Sequence, residues 1–314
     1  MLLQNPTIGV FDSGFGGLTV LRALLPLIPA AQYVYLGDTA RLPYGSKSHD
    51  TIARYAVSSA KFLQQQGADL LVIACNTASA LALDDIRQAV PIPVVGVIHP
   101  GAEAAYSVSA TEAGCPIHYD GPIVAMGGNE QPLSPEQDRV PHLRRGFIAP
   151  KVGSSADHSV LVLATTATIQ SHAYAHALSA LGMKAIEKAC PLLVPLVEEG
   201  WSDHPVTAEV LRIYFREAFA EAPNARTLVL GCTHYPLLQP LIQRVLAELN
   251  HPMTIIDSAA ATAACVAAYF PASSSSAPAT CRFYATDSIE KFQRLGSTFL
   301  GQPLSEVYLL DLGG

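Results

Sequence analysis

Short apolar, β-branched runs recur along this chain, each closing on small or polar residues and giving way to a helical pattern. Residues 7–11 run into DSGFGG (12–17) and then a helix-like stretch over 18–27. Residues 32–36 run into Gly37, Asp38 and Thr39. Residues 70–74 run into Cys75, Asn76 and Thr77, followed by an Ala-rich helical stretch to Arg87. Residues 93–98 run into His99, Pro100 and Gly101. Buried runs that alternate with helices predict a parallel sheet with crossover helices, because both faces of such a sheet are covered. Ligands of these sheets gather beyond the carboxyl ends of the strands. Every motif just named lies there.

The rhythm resumes further on. Residues 159–163 end in Ala164, Thr165, Thr166, Ala167 and Thr168 before a helix rich in Ala and His. Residues 227–230 end in Gly231, Cys232, Thr233 and His234, with a helix predicted over 235–249. LLVIACNTASA (70–80) and TLVLGCTHYPL (227–237) share one plan: apolar strand, small residue, Cys, polar residues. They read as corresponding strand ends of two related domains. Residues 107–158 break the pattern; rich in Gly, Pro and Ser and holding Arg144 and Arg145, they read as an irregular insertion. Residues 273–276 read as a surface linker, and 282–312 as strand–helix–strand completing a sheet.

Composition narrows the function classes. Half of the 314 residues are hydrophobic and 14% are charged, enough for two α/β domains with sizeable cores. No apolar run reaches the roughly 18 residues of a membrane span, and no basic segment leads a signal-peptide-like apolar core. A formal net charge of −7 without a basic run argues against nucleic acid as the main partner. The six cysteines (75, 115, 190, 232, 265 and 281) show neither disulfide-like clustering nor a CxxC pair, as expected of free thiols in a reducing cytosol.

A lone buried cysteine is ordinarily a small core hydrophobe, and Cys115, Cys190, Cys265 and Cys281 take that reading. Cys75 and Cys232 differ: each follows a buried strand, opens a predicted helix and is flanked by polar donors. A helix N-terminus favours the thiolate, and two thiols on one cleft suit proton transfer from either face of a bound molecule. Nucleophilic catalysis by Cys232 with His234 as base is the alternative, although it leaves the second thiol unexplained. Metal binding is weaker still. Cys232 with His234, and His172 with His176, fall short of a ligand set, and the latter pair reads as an ordinary helix face. DSGFGG could cradle an anion on backbone amides, with Asp12 as a helix N-cap in the plainer reading. RLPYG (41–45) reads as a turn over a cleft in which Tyr44 offers a hydroxyl and backbone contacts. Lys47, Lys61 and Lys151 lie in polar contexts unlike a pyridoxal-phosphate lysine, and no dinucleotide fingerprint is present.

Taken together, DSGFGGLTVL (12–21), LGDTARLPYG (36–45), ACNTASA (74–80), GVIHPGA (96–102), ACPLLVPLVEEG (189–200) and GCTHYPLL (231–238) resemble the glutamate racemases of the aspartate/glutamate racemase superfamily. The match runs in order across nearly the whole chain outside 107–158. Related aspartate and hydantoin racemases also carry two cysteines, whereas DSGFGG and PYG are specific to the glutamate enzymes. The resemblance implies two flavodoxin-like, doubly wound, mainly parallel α/β domains facing each other across the active site. Residues 1–99 with 257–314 would form the first, and 100–256 the second.

The resemblance further implies a cofactor-independent racemase, with no metal, that supplies D-glutamate for peptidoglycan from the cytoplasm, as a homodimer. Cys75 and Cys232 are then the acid/base thiols, assisted by Asp12, Glu198 and His234. Asp12, Ser13, Tyr44, Gly45, Asn76, Thr77, Thr233 and His234 hold the amino acid. Asp38, Thr165 and Thr168 support the site, Ala164 standing where the family has glycine. Racemisation of aspartate, a Cys–His hydrolase and a catalytically inactive binding protein are the competing expectations.

Overall fold

The structure, a computed structural model, describes residues 5–112, 159–270, 279–304 and 306–313. Expectations placed on 113–158 and 273–276, with Cys115, Arg144, Arg145 and Lys151, lie outside the described residues.

Two all-parallel sheets carry the described chain. The first contains β1 (Thr7–Asp12), β2 (Gln32–Gly37), β3 (Leu70–Ile73), β4 (Val94–Gly96), β9 (Thr280–Ala285) and β10 (Val307–Leu309), in the order β10-β9-β2-β1-β3-β4. The second contains β5 (Ser159–Ala164), β6 (Lys184–Ala189), β7 (Thr227–Gly231) and β8 (Thr254–Asp257), in the order β6-β5-β7-β8. The expected fold class is borne out. Moreover, β2-β1-β3-β4 and β6-β5-β7-β8 are the same order, so β3 and β7 occupy equivalent places. The likeness of 70–80 to 227–237 is therefore topological as well as textual. In both sheets the order reverses beside the first strand, which opens a crevice at the carboxyl ends of β1/β3 and β5/β7.

Helices cover both faces. They are α1 (Leu18–Leu24), α2 (His49–Gln65), α3 (Asn76–Leu81), α4 (Leu83–Ala89), α5 (Ile98–Glu112), α6 (Thr166–Gln170), α7 (Ala173–Ala180), α8 (Leu193–Glu198), α9 (Pro205–Glu221), α10 (Gln239–Glu248), α11 (Ser258–Ala267) and α12 (Ile289–Leu300). Alternation along each strand divides the core. Phe11, Val34, Leu36, Leu71 and Ile73 face α2–α4, whereas Ile8, Val10, Leu70 and Val72 face α1 and α12. This second layer runs on without a break into the face of the second sheet formed by Leu161, Leu163, Leu228 and Leu230. The opposite face of the second sheet packs on α5 and α7 through Val160, Val162, Val229, Ala102, Ala105 and Tyr174.

Several boundaries differ from expectation, each for a physical reason. Residues 107–112 belong to α5 and not to the irregular insertion. Buried Ala102, Ala105 and Tyr106 recur at helical spacing, and Ser109 Oγ lies 3.1 Å from Thr227 Oγ1 on β7. His99, Pro100 and Gly101 fall in the first turn of α5 instead of a loop, since proline is tolerated where helical N–H groups lack partners. The 235–249 helix begins as a 3-10 turn, Tyr235–Leu238, with α10 starting only at Gln239. Strand β6 carries no apolar run because it is a half-exposed edge. Among the described residues no helix is long and apolar enough to cross a membrane.

Candidate active site

Asp12 ends β1, and DSGFGG turns over it before α1 begins at Leu18. It is therefore not the helix cap; Gly17 holds that position. Its Oδ2 instead accepts the Gly14 N–H at 3.0 Å, with the Ser13 and Gly17 amides also favouring its charge. The loop amides that could cradle an external anion thus serve the carboxylate of Asp12. Burial nevertheless raises its pKa, against the opposing pull of His234 and these amides. Asp12 Oδ1 is buried without a partner among the described residues.

Cys75 follows β3 and caps α3, its Sγ accepting the Ala78 N–H at 3.4 Å and donating to Ser13 Oγ at 3.4 Å. Position alone predicts a depressed thiol pKa. The structure corrects this: burial, with the Asp12 charge in second place, pushes Cys75 up to about 11 despite those hydrogen bonds. The magnitudes explain the outcome. A helix terminus contributes typically 0.3–1 kcal/mol, and desolvation of a fully buried thiol outweighs it. Cys232 follows β7, is 6% exposed, and opens onto a 3-10 turn instead of an α-helix. Its thiol is also pushed up, first by burial and further by Cys75 and Asp12, against the backbone N–H of His234. A thiolate at Cys75 would thus raise Cys232 further, and burial favours the neutral form of both.

His234 is buried between Phe299, whose ring meets it edge-on at 4.9 Å, and Phe15 at 5.9 Å. Its Nε2 lies 3.4 Å from Glu198 Oε1 at the end of α8, an ion-pair distance without hydrogen-bond alignment. Lys291 of α12 approaches the other Glu198 oxygen at 3.5 Å. Burial acts to raise the Glu198 pKa, but His234 and Lys291 outweigh it and hold the carboxyl below its usual value. Gly16 brings the loop over this group: a Cβ there would stand 2.3 Å from Thr233 Oγ1 and 2.6 Å from His234 Nδ1. Thr19 Oγ1 also donates to the Thr233 carbonyl at 3.2 Å, so α1 is tied directly to the end of β7.

Three threonine hydroxyls join the units. Thr77 Oγ1 lies 3.1 Å from Thr165 Oγ1 and 3.2 Å from Thr168 Oγ1, which are 3.0 Å apart. Gly45 packs opposite Thr165, to which a Cβ would come within 3.4 Å. Asp38 is fully buried, takes both its oxygens to within 2.8 Å of Arg41 Nε, and accepts from Thr286 Oγ1 at 2.9 Å and from the Tyr44 hydroxyl. The Tyr44 hydroxyl, read from sequence as a ligand group, is thus committed to Asp38.

The residues named for the site fall into linked groups: Cys75 with Ser13, His234 with Glu198 and Thr233, Thr77 with Thr165 and Thr168, and Asp38 with Tyr44. His172 and His176 stand apart; both are exposed, but only His176 lies on α7, because His172 precedes it in left-handed backbone as its N-cap and pairs with Glu187 at 2.8 Å. Cys190 is a buried core thiol, and among the described residues no His/Cys/Asp/Glu group could hold a metal ion. Sequence reading missed Thr19, Lys291, Phe299 and Tyr174, whose hydroxyl donates to Asn76 Oδ1 at 2.8 Å. Each lies on a helix whose local pattern records only which side is buried.

Known proteins share this fold and much of this sequence. The family model described as Asp/Glu/Hydantoin racemase matches residues 8–114 and 148–266. A glutamate racemase of Koribacter versatilis is 46% identical, with 100% of both chains covered. That of Aquifex aeolicus is 38% identical, over 96% of this chain and 99% of its own. Among solved structures, the glutamate racemase of Francisella tularensis in complex with D-glutamate superposes with a TM-score of 0.76 at 29% identity, covering 99% of each chain. That of Thermus thermophilus in complex with β-chloro-D-alanine gives 0.72 at 34%, covering 98% of each.

Proposed function

We propose, from the premise that this chain belongs to the Asp/Glu/Hydantoin racemase family, that it interconverts L- and D-glutamate without a cofactor, using two cysteine thiols. The observation that carries this reading is the pairing of Cys75 and Cys232. They stand at equivalent strand ends of two sheets with one strand order, buried and within electrostatic reach of each other. Inversion at carbon needs a base on one face and an acid on the other. In the L-to-D direction Cys232 removes the α-proton and Cys75 delivers one to the opposite face; the roles reverse for D-glutamate.

A neutral thiol must first lose its proton. His234, backed by Glu198 and Lys291, is the acceptor beside Cys232, and Asp12 is the acceptor beside Cys75. The ammonium of a bound amino acid adds a positive charge next to both thiols and so lowers the cost of forming a thiolate. Ser13, Asn76, Thr77 and Thr233, with the backbone at Tyr44 and Gly45, hold the substrate. Excluding water strengthens every polar contact to the developing carbanion. Asp38, Thr165 and Thr168 support those groups. A Cys–His hydrolase would leave Cys75 and Asp12 without a task.

The same reading divides the chain into 1–99 with 257–314 and 100–256, places it in the cytoplasm as a homodimer, and directs its D-glutamate to peptidoglycan. The decisive experiment is chiral analysis of L-glutamate incubated with purified protein, chelator and no added cofactor. It should approach an equal mixture of enantiomers, with aspartate a much poorer substrate. In heavy water, early turnover should place deuterium in the D product and almost none in recovered L-glutamate. Comparable turnover of aspartate, a requirement for pyridoxal phosphate, or rapid exchange into unreacted L-glutamate would sink it.

A further inference from the structure

We infer that Tyr174 is a positioning residue: its hydroxyl, donated to Asn76 Oδ1 at 2.8 Å, fixes the Asn76 amide so that Nδ2 faces a carboxylate of the bound amino acid. The inference rests on the reading of the crevice as an amino-acid site, and assigns to one hydroxyl of the second unit the orientation of a binding group on the first.

Both residues are buried, at 0% and 3% exposure. Asn76 is the first residue of α3, directly after Cys75. Its planar amide has an acceptor at one end and donors at the other. The acceptor is engaged by Tyr174, and Nδ2 is buried without a partner among the described residues. A buried donor left unmatched is costly in a folded protein and calls for a functional reason. An anionic oxygen of an amino acid held between the two thiols supplies one, because a charge-assisted bond is the strongest that an amide N–H makes.

Tyr174 is itself held firmly. Gly231, immediately before Cys232, lets the ring approach β7, since a Cβ there would stand 3.0 Å from Tyr174 Cε2. Ser258, whose Oγ donates to the Leu230 carbonyl at 2.9 Å, also faces the phenol. Burial raises the phenol pKa, so it remains an O–H donor over the whole working range. A neutral donor facing Asn76 selects the carbonyl end of its amide and leaves the NH2 end unpaired for a ligand. Tyr174 thus links the strand end that bears Cys232 to the amide beside Cys75.

The test is a cycle of Tyr174→Phe, Asn76→Ala and the double variant, assayed in both directions with thermal melts alongside. Phenylalanine keeps the ring and removes only the hydroxyl. Tyr174→Phe should raise the KM for both enantiomers about tenfold, the worth of one charge-assisted hydrogen bond, with kcat changed less than about threefold. Asn76→Ala should raise KM at least as much, and adding Tyr174→Phe to it should cost less than about twofold more. An unchanged KM in Tyr174→Phe, effects that multiply, or a fall in kcat and melting temperature at constant KM would overturn the assignment. Should Tyr174→Phe not fold, an Asn76→Ala variant with wild-type KM overturns it alone. A wild type that binds glutamate by calorimetry without racemising it would refute the functional reading. The same cycle read on binding affinity would still decide for or against Tyr174.

Discussion

A thiol buried beside a carboxylate resists ionisation twice over, and Cys75 meets both conditions. The hydroxyl of serine is far less acidic than a thiol. Replacing Cys75 or Cys232 by Ser should therefore lower racemisation by at least about a thousandfold, of the order lost when an essential catalytic group is removed, while glutamate binding persists by calorimetry. Substantial residual racemisation in either variant would argue against a two-thiol path. The raised pKa has a second consequence. The unfolded chain loses the Cys75 proton near pH 8.5, whereas the native thiol keeps it up to about 11. Between those values the native state binds more protons, so stability falls as pH rises, by about 1.4 kcal/mol per pH unit for this group. Urea unfolding at pH 7.5–10.5 should show a shallower decline in Cys75→Ser than in wild type. Parallel curves would mean that the native thiol is not raised.

Among elements, the turn between β1 and α1 has the most exacting geometry. It wraps Asp12 in its own amides, and Gly16 touches Thr233 and His234 across the crevice. A methyl group at Gly16 would push against Thr233 and against His234, the latter already wedged by Phe15 and Phe299. Displacing a reacting group by about 1 Å can cost on the order of a hundredfold in rate. Gly16→Ala should thus lose about that factor in kcat/KM, with circular dichroism close to wild type. Retained activity would show that His234 can shift freely. The motif DSGFGG was legible as a feature of the site because its glycines follow an apolar strand. What it grips was not, since the contact falls on residues more than 200 positions away.

At the scale of the whole molecule, the chain leaves the first sheet through α5 and returns to it through α11, so that β9 pairs with β2 and β10 with β9. The returning segment contributes Phe283, Phe292, Phe299 and Leu300 to the core, and Lys291 to Glu198. Each such side chain contributes about 1.5–3 kcal/mol on burial, and their sum is comparable to the total stability of a domain, about 5–15 kcal/mol. Truncation after residue 270 should therefore yield insoluble or unfolded protein without racemase activity. A soluble, active fragment with native-like near-ultraviolet circular dichroism would contradict this account.

The sequence by itself determined the strand ends, the α/β class and the equivalence of the two cysteines. Those features are written in local periodicity: an apolar run buried on both faces must be covered by helices, and the small and polar residues that end it must face the crevice. It did not reveal the edge strands β6 and β8, whose half-exposed positions weaken the apolar signal, nor the helical character of 107–112. Only the tertiary structure decided the protonation of the thiols, because burial is a property of the packed assembly and outweighs the local helix effect. The same holds for the Glu198–His234 pairing, the three-threonine contact and the bond from Tyr174 to Asn76. Residues 98 positions apart, such as Asn76 and Tyr174, become partners only when two sheets of one strand order pack with their crevices together. Local pattern fixes which face of an element is buried, and packing alone fixes what that face meets.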